Sequence, residues 1–407
     1  MADRQVDIAI IGGGIWGLST AYHLARAGGG RICVLERNPT LAAETTPRAA
    51  GLVGQIRSNP TMLRAIQYAL DLLGQFAQKT GHSSGLRQTG SLILALTPER
   101  MAYCERQVEE AQRNGVAAEF VSTTEMTRLA PALDTTGIAG GYFVAGDGYL
   151  DPQQCAQAYA GAAADLGVEL VLGSRVEKIR IERGQVCGVE TDNGSVTADQ
   201  VLVAAGPWGG ILAAQAGFAP AVQPIRHQRV RTTLAPGIPD HHPVVRVPDL
   251  GCYLRSEKGG YLYGFFEPEP TSIEIEKLPA DFTTAQIDPP QRVMTEAQHR
   301  LRPHFPILDT LAIAERHQGM TTFAPDGSYL LGPVPGVAGL FLATGCAALG
   351  IAGAAAIGDW LTKWMLEGDP GEDLAQFGLE RFGTRADDRT WVRRESEGFY
   401  GNYYSIR

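Results

Sequence analysis

The strongest constraint on the fold of this chain sits at its N-terminal end. Val6-Asp7-Ile8-Ala9-Ile10-Ile11 is an apolar, β-branched strand pattern that runs straight into Gly12-Gly13-Gly14-Ile15-Trp16-Gly17, and Leu18 to Ala27 continue with helical periodicity. Ile32-Cys33-Val34-Leu35 forms a second strand pattern ending in Glu36. A G-x-G-x-x-G motif in this strand–turn–helix setting has a physical reading. Gly12 permits the tight turn, Gly14 lets a pyrophosphate approach the backbone, and Gly17 lets the helix pack closely on the strand. The helix start (Ile15, Trp16) offers free N–H groups and a positive dipole end to phosphates. Glu36, nineteen residues after Gly17, is placed to accept hydrogen bonds from a ribose diol, with Arg37 beside it. The motif implies an adenine dinucleotide.

The remaining bulk features agree with an enzyme of ordinary composition. A chain of 407 residues exceeds the size at which single cores stop growing, about 250–300 residues, so two cores are expected. A net charge of −9 argues against nucleic acid or an anionic membrane surface as the main partner. The six cysteines are scattered with no C-x-x-C pair, which suits neither a disulfide framework nor a zinc site and predicts a reducing, cytoplasmic setting. With the first strand pattern starting at Val6, no cationic leader is expected. Val337 to Ile357 carries no charge, but Leu340-Phe341-Leu342-Ala343 followed by a glycine turn reads as a buried βα unit, so no membrane insertion is expected.

Helical and extended patterns alternate along the chain, as in α/β architecture. Helices are predicted over 60–80, 98–114 and 152–166, the last capped by Asp151. Strands are predicted over 168–172, 176–183, 185–191 (a hairpin on Gly184) and 200–205. Residues 223–233, 252–254 and 260–266 read as strands of a second, antiparallel sheet. Pro236 to Pro248 and Glu267 to Pro290 read as proline-rich loops.

Three later segments separate FAD from NAD. Val176 follows a strand and can lend backbone groups to an adenine; Ala205-Gly206-Pro207-Trp208 ends a buried strand; and Gly345 feeds a helix beginning near Leu349-Gly350-Ile351, whose positive end can face the pyrimidine edge of a flavin. Together these returns to one sheet resemble the amine-oxidising flavoproteins related to D-amino-acid oxidase, and are most similar to the sarcosine and dimethylglycine dehydrogenases. The resemblance spans nearly the whole chain. Glu44-Thr45-Thr46-Pro47-Arg48-Ala49-Ala50-Gly51-Leu52 resembles the T-T-W-H-x-A-G-L flavin-attachment loop of that family. His227 resembles a histidine placed beside the substrate amine. Tyr253-Leu254-Arg255 through Tyr261-Leu262-Tyr263-Gly264 resembles the Y-x-R…G-L-x-x-G stretch, and Gly319 to Gly327 the run before the last strand. The Tyr404-Ser405-Ile406 element resembles the point where relatives continue into a folate-binding domain, which is not expected here.

The resemblance implies an α/β fold: a Rossmann-like FAD-binding domain assembled discontinuously from residues 1–85, 145–220 and 319–407, and an antiparallel-sheet substrate domain from 86–144 and 221–318. It implies FAD-dependent oxidation of a secondary or tertiary amine, an N-methylated or cyclic amino acid, by hydride transfer to the flavin and imine hydrolysis, often a demethylation releasing formaldehyde. Two departures matter. Arg48 stands where the family has its covalent histidine, so FAD is expected to be noncovalent, with Cys346 the only cysteine considered for a link. Leu349 and Ala352 stand where monomeric sarcosine oxidases carry a histidine and a lysine, so a carboxylate anchor must lie elsewhere.

For catalysis, His227 is the candidate proton acceptor, on the expectation of a pKa near neutrality; a backbone-bonded strand histidine is its plain alternative. Arg48 can favour the reduced flavin electrostatically or clamp a carboxylate, a role for which Arg57, Arg226 and Arg255 compete. Tyr253, Tyr263, Phe265 and Phe266 can wall an apolar cavity around an N-methyl group. His241-His242 lacks further ligands at metal spacing, so no metal is expected. His299 and His304 read as solvated, and Glu267-Pro268-Glu269-Pro270 as an exposed loop. Competing expectations are a D-amino-acid or 2-hydroxy-acid oxidoreductase on the same fold, the flavin subunit of a hetero-oligomer, and a nonenzymatic FAD-binding module, against which the full set of substrate-domain strands with His227 among them argues; the electron acceptor (oxygen or a redox protein) and any homo- or hetero-oligomeric state are left open.

Overall fold

The computed structural model describes residues 4–239 and 241–406. A six-stranded sheet is built on the N-terminal motif, in the order Leu330–Pro333, Leu340–Thr344, Gln200–Val203, Ile8–Ile11, Ile32–Leu35, Glu169–Val171. All its pairings are parallel except that of the edge strand Leu330–Pro333. Its central strands are apolar on both faces because helices cover one side and a second core fills the other. Ile15–Arg26 packs between Pro152–Asp165 and Gly350–Glu367 on the covered side. The uncharged run ends as expected, in the strand Leu340–Thr344 and the first turns of Gly350–Glu367; among the described residues no helix is long and apolar enough to cross a membrane.

The second large sheet has eight strands, in the order Ile313–Phe323, Gln223–Thr232, Gly260–Phe265, Cys252–Glu257, Val244–Val247, Ser91–Ala95, Gly140–Val144, Ala118–Phe120. Its pairings are antiparallel except that between Val244–Val247 and Ser91–Ala95. One face packs on Gln291–Leu301 and its neighbours; the other looks toward the six-stranded sheet. A four-stranded sheet contains the hairpin Val176–Glu182 and Gln185–Thr191, turning at Arg183-Gly184 as the sequence predicts.

Several expectations change. The helix predicted over 60–80 is two, Pro60–Gly74 and Phe76–Thr80, because Gln75 leaves helical geometry at φ −104°, ψ 2°. Within the predicted loop 236–248, Val244–Val247 is an interior strand; Pro243 and Pro248 flank it without breaking its ladder. Ile313–Phe323 is one strand, paired with Gln223–Thr232 from Gln223–Phe323 to Thr232–Ile313. His304 is buried, with Nδ1 3.3 Å from the Asp134 carbonyl, rather than solvated. Glu267 is buried in an ion pair with Arg226 at 3.0 Å, while Pro268 and Glu269 alone stay exposed.

Candidate active site

One cavity of about 550 Å³ runs from the glycine motif to the face of the eight-stranded sheet. At its first end Gly12 has φ +114°, and a Cβ there would lie 2.5 Å from the Ala204 carbonyl oxygen, so the turn between neighbouring parallel strands closes only around glycine. Gly14 faces open space, with Thr46 Oγ1 the nearest atom to an added Cβ at 3.5 Å. It also stands at the N-cap of Ile15–Arg26 and supplies no side-chain cap, so the helix start presents main-chain donors to the cavity. Gly17 does not line the cavity. A Cβ there would meet the Gly12 carbonyl oxygen at 2.0 Å, which is the packing role expected of it. Glu36 is buried, its Oε2 accepting from Gly13 N at 2.8 Å and its Oε1 from Asn38 N at 2.8 Å, which fixes the carboxylate at the cavity wall beside Val176.

Arg37 lies over the Trp208 ring at 3.9 Å and donates to Glu44 at 2.6 Å and to the Phe282 carbonyl at 2.9 Å. Glu44 also accepts from Thr284 N at 2.7 Å. Burial acts to raise the Glu44 carboxyl, but the hydrogen bonds from Thr284 and Arg37 hold it below its ordinary value. These contacts fasten the segment 275–284 across the nucleotide end, where Ile275, Leu278 and Pro279 join the lining with Ala205 and Gly206. The sequence offered no signal for this strap beyond its proline content.

In the middle, the helix Gly350–Glu367 begins at Leu349, also without a side-chain cap, and Trp16 Nε1 donates to the Gly350 carbonyl at 2.8 Å, tying the two helix starts together. Leu349, Gly350 and Ile351 line the cavity; Gly345 and Ala352 do not. The preceding turn holds two non-glycine residues at positive φ, Ala347 (47°) and Ala348 (58°). It is held there by Thr321 and Thr322: Ala347 N donates to the Thr322 carbonyl at 2.8 Å, Ala348 N to Thr321 Oγ1 at 3.1 Å and Cys346 N to Thr322 Oγ1 at 3.0 Å. Cys346 Sγ lies 3.2 Å from Thr321 Oγ1.

The loop 43–52 supplies Thr45, Thr46, Arg48, Ala50, Gly51 and Leu52 to the wall. Thr46 Oγ1 accepts from Ile15 N at 3.2 Å and Thr45 Oγ1 donates to the Met320 carbonyl at 3.0 Å. Two buried arginines of the eight-stranded sheet hold this loop by its main chain. Arg229 donates to the carbonyls of Arg48 and Pro47, each at 3.0 Å, and Arg255 to that of Ala50 at 2.8 Å. Arg255 is 1% exposed, paired with Glu257 and stacked on Tyr149 at 4.3 Å; it lies outside the cavity, contrary to the carboxylate role considered for it. Arg226 is likewise committed to Glu267. Arg48 reaches the cavity wall, but its guanidinium folds back onto the carbonyls of Ala43 and Glu44, and burial lowers its pKa.

At the far end stand His227, Tyr253, Phe266, Tyr403 and Tyr404. His227 is on Gln223–Thr232 and Tyr253 two strands away on Cys252–Glu257, with Gly264 of the intervening strand directly opposite Tyr253. A Cβ on Gly264 would overlap the Tyr253 hydroxyl at 2.1 Å, so glycine there lets the phenol cross the strand and reach His227 Nε2 at 2.9 Å. His227 Nδ1 lies 2.7 Å from the Tyr400 hydroxyl of the last helix, Arg389–Gly401, and the Phe266 ring is 4.6 Å away. Burial among these rings lowers the His227 pKa to about 4, correcting the expectation of a near-neutral base: no carboxylate offsets the loss of solvation. Tyr263 and Phe265 do not face the cavity. Strand alternation turns them to the opposite face, where both join the core packed on Gln291–Leu301.

Arg57 and Arg246 also line this end. The Nε atoms of both are buried without a protein acceptor among the described residues, and burial lowers the Arg57 pKa. Arg57 was a sequence candidate; Arg246 was hidden in the supposed loop. Over the whole cavity five arginines face three glutamates, an excess of positive charge suited to a pyrophosphate and a further anionic group. Two helix starts without side-chain caps, the glycine turn, the fixed Glu36 and this charge fit FAD. They leave the aromatic end for a substrate.

With this geometry in place, the comparisons with known proteins identify the class. Residues 7–364 match the family of FAD-dependent oxidoreductases related to D-amino-acid oxidase, and the chain belongs to it. The chain is similar to 4-methylaminobutanoate oxidase (formaldehyde-forming) of Paenarthrobacter nicotinovorans, 30% identical over 402 residues that cover 99% of this chain and 48% of that one. It is similar to mitochondrial dimethylglycine dehydrogenase of Mus musculus, 30% identical over 97% of this chain and 46% of that one. The chain therefore spans about half the length of these relatives. In fold it matches L-proline dehydrogenase from P. horikoshii with a TM-score of 0.84 at 24% identity, covering 94% of this chain and 98% of that one.

Proposed function

We propose that the protein oxidises a secondary or tertiary amine that also carries a carboxylate, converting the carbon next to nitrogen to an imine that water hydrolyses, with formaldehyde released where that carbon is an N-methyl group. The observation that carries this reading is the far end of the cavity. There a neutral His227–Tyr253 pair sits among Phe266, Tyr403 and Tyr404, with Arg57 and Arg246 lining the same chamber. The names of two relatives, an N-methylamino-acid oxidase and a dimethylglycine dehydrogenase, support the same class.

The chemistry that FAD supplies when bound is acceptance of a hydride at the flavin. The residues of the chain do the rest. An amine releases hydride only with its lone pair free, so the site must favour the neutral amine. Because burial keeps His227 uncharged, the imidazole adds no charge beside the substrate nitrogen, and the Tyr253 hydroxyl, held by the imidazole, binds that nitrogen by a hydrogen bond. As positive charge develops on nitrogen, the faces of Phe266 and the tyrosines stabilise it. Arg57 and Arg246 hold the carboxylate through forked donors. Arg229 and Arg255 keep the loop 43–52 in place, and that loop with the strap 275–284 closes the cavity around the cofactor.

The test is anaerobic mixing of the yellow protein with sarcosine, dimethylglycine, 4-methylaminobutanoate, proline, D-alanine and 2-hydroxy acids, following loss of the flavin band. Rapid bleaching by an N-methyl or cyclic amino acid is expected, with an imine or formaldehyde as product. Readmission of air distinguishes an oxidase from a dehydrogenase. Bleaching by hydroxy acids alone, or by none of the amines, overturns the reading.

A further inference from the structure

Tyr400 lies on the C-terminal helix, outside every motif of the sequence reading, yet its hydroxyl is 2.7 Å from Nδ1 of His227. It is fully buried, wedged against Phe266 at 5.1 Å and Phe323 at 5.5 Å, and its helix is fastened to the sheet by Ser396 Oγ donating to the Phe323 carbonyl at 2.9 Å. Three groups therefore form one line: Tyr400 hydroxyl, both nitrogens of the imidazole, Tyr253 hydroxyl. A neutral imidazole has one N–H and one lone pair, so the two ends of the line cannot both donate to it, and whichever end is fixed sets the other. The Tyr400 end is fixed: the residue is fully buried and Nδ1 is its hydroxyl's one hydrogen-bond partner among the described residues, so its O–H goes to the ring, whereas Tyr253 borders the cavity and can turn its own O–H there.

We infer that Tyr400 is a positioning residue that locks His227 in one neutral tautomer, lone pair on Nδ1 and N–H on Nε2, and thereby sets the direction of the Tyr253 hydroxyl. With Nε2–H donated to its oxygen, Tyr253 turns its own O–H into the cavity. A free-base nitrogen accepts that hydrogen, whereas an ammonium, with donors only, cannot. The line thus selects the unprotonated amine without a charged base in the site. This consequence rests on the proposed amine oxidation; the tautomer does not.

The experiment is long-range proton–nitrogen correlation NMR on the FAD-loaded protein with nitrogen-labelled histidine, the His227 signals being assigned by their loss in His227→Asn. A single tautomer protonated at Nε2 is expected in the natural chain, and in Tyr400→Phe, which keeps the ring and removes the hydroxyl, the two tautomers should mix. Protonation at Nδ1 in the natural chain overturns the inference, as does an unchanged His227 in a folded Tyr400→Phe protein. In the same variant, amine-dependent flavin reduction should slow about tenfold while FAD content is retained. A Tyr400 that only docks its helix would lower the melting temperature and leave tautomer and reduction rate alone. Should no amine bleach the natural protein, the function falls while the NMR result still decides the tautomer.

Discussion

The two large sheets carry their chemistry in different ways. On the six-stranded sheet the cavity is lined by main chain: Gly12, Gly14, Ala205, Gly206 and the starts of two helices. On the eight-stranded sheet it is lined by side chains on one face: His227, Tyr253, Arg246 and, across the gap, Arg57. A main-chain site fails when a Cβ is added; a side-chain site fails when one is trimmed. The sharpest break should come from Gly17→Val. Its Cβ would sit 2.0 Å from the Gly12 carbonyl oxygen, a backbone atom that cannot step aside, so the helix start must leave the strand. The expected product retains no FAD, read as loss of visible absorbance in the purified protein, and fails to accumulate in soluble form. A yellow Gly17→Val protein would show that the motif tolerates what its packing forbids.

The same contrast explains what was legible in the sequence. A glycine turn is a local requirement, so its three glycines, Glu36 and the βα unit after Gly339 could be read from neighbouring residues. Alternation along a strand is also local, but which face meets the cavity is not. Tyr253 and Tyr263 look alike in the sequence, and only the packing of Gln291–Leu301 against the second assigns them to opposite sides. Arg246 was lost between Pro243 and Pro248, which mimic a loop while flanking an interior strand. Tyr400 was lost because it comes from a helix 173 residues away from its partner.

Next in size are Arg229→Met and Arg255→Met, which remove the side-chain donors from the carbonyls of Pro47, Arg48 and Ala50. Leaving such groups unmet costs about 1–3 kcal/mol each. In a chain of 407 residues that lowers the melting temperature by about 1 °C per kcal/mol. The signature that separates a loop clamp from simple core packing is FAD affinity, which should fall together with stability. Retained affinity with a lowered melting point would place both arginines outside the cofactor's support. The strap should be gentler. Glu44→Gln keeps the shape but removes the charge that Arg37 holds, and FAD should dissociate about three- to tenfold faster with little change in melting temperature.

Acid should sharpen the comparison further, because His23, on the first helix under the six-stranded sheet, and His227 and His242, on the other side, all have pKa values lowered to about 4 by burial. Each takes up its proton in the unfolded chain near its ordinary value of 6.5 and in the folded chain only near 4. Stability is therefore unaffected by these groups above pH 6.5, declines as the pH falls from 6.5 toward about 4, and levels below that. Melting curves across that interval measure it. Over the same interval the rate of flavin reduction should follow deprotonation of the amine itself and show no step at the ordinary histidine value; such a step, if abolished by His227→Asn, would mean that the imidazole titrates freely.

The smallest effect is the most discriminating. Tyr253 and Tyr263 lie on adjacent strands, both almost wholly buried, and differ only in the face they occupy. Tyr253→Phe removes the hydroxyl that meets His227 and should slow amine-dependent flavin reduction about tenfold or more. Gly264→Ala should approach the same loss with Tyr253 intact, because the new Cβ would fall 2.1 Å from the phenol oxygen and push the ring off the imidazole. Tyr263→Phe loses a hydroxyl of the same kind on the other side of the sheet and should leave the reduction rate within about twofold. Equal losses from Tyr253→Phe and Tyr263→Phe would mean that the sheet transmits changes through its thickness. The distinction between a reactive face and a supporting one would then have to be abandoned for this half of the molecule.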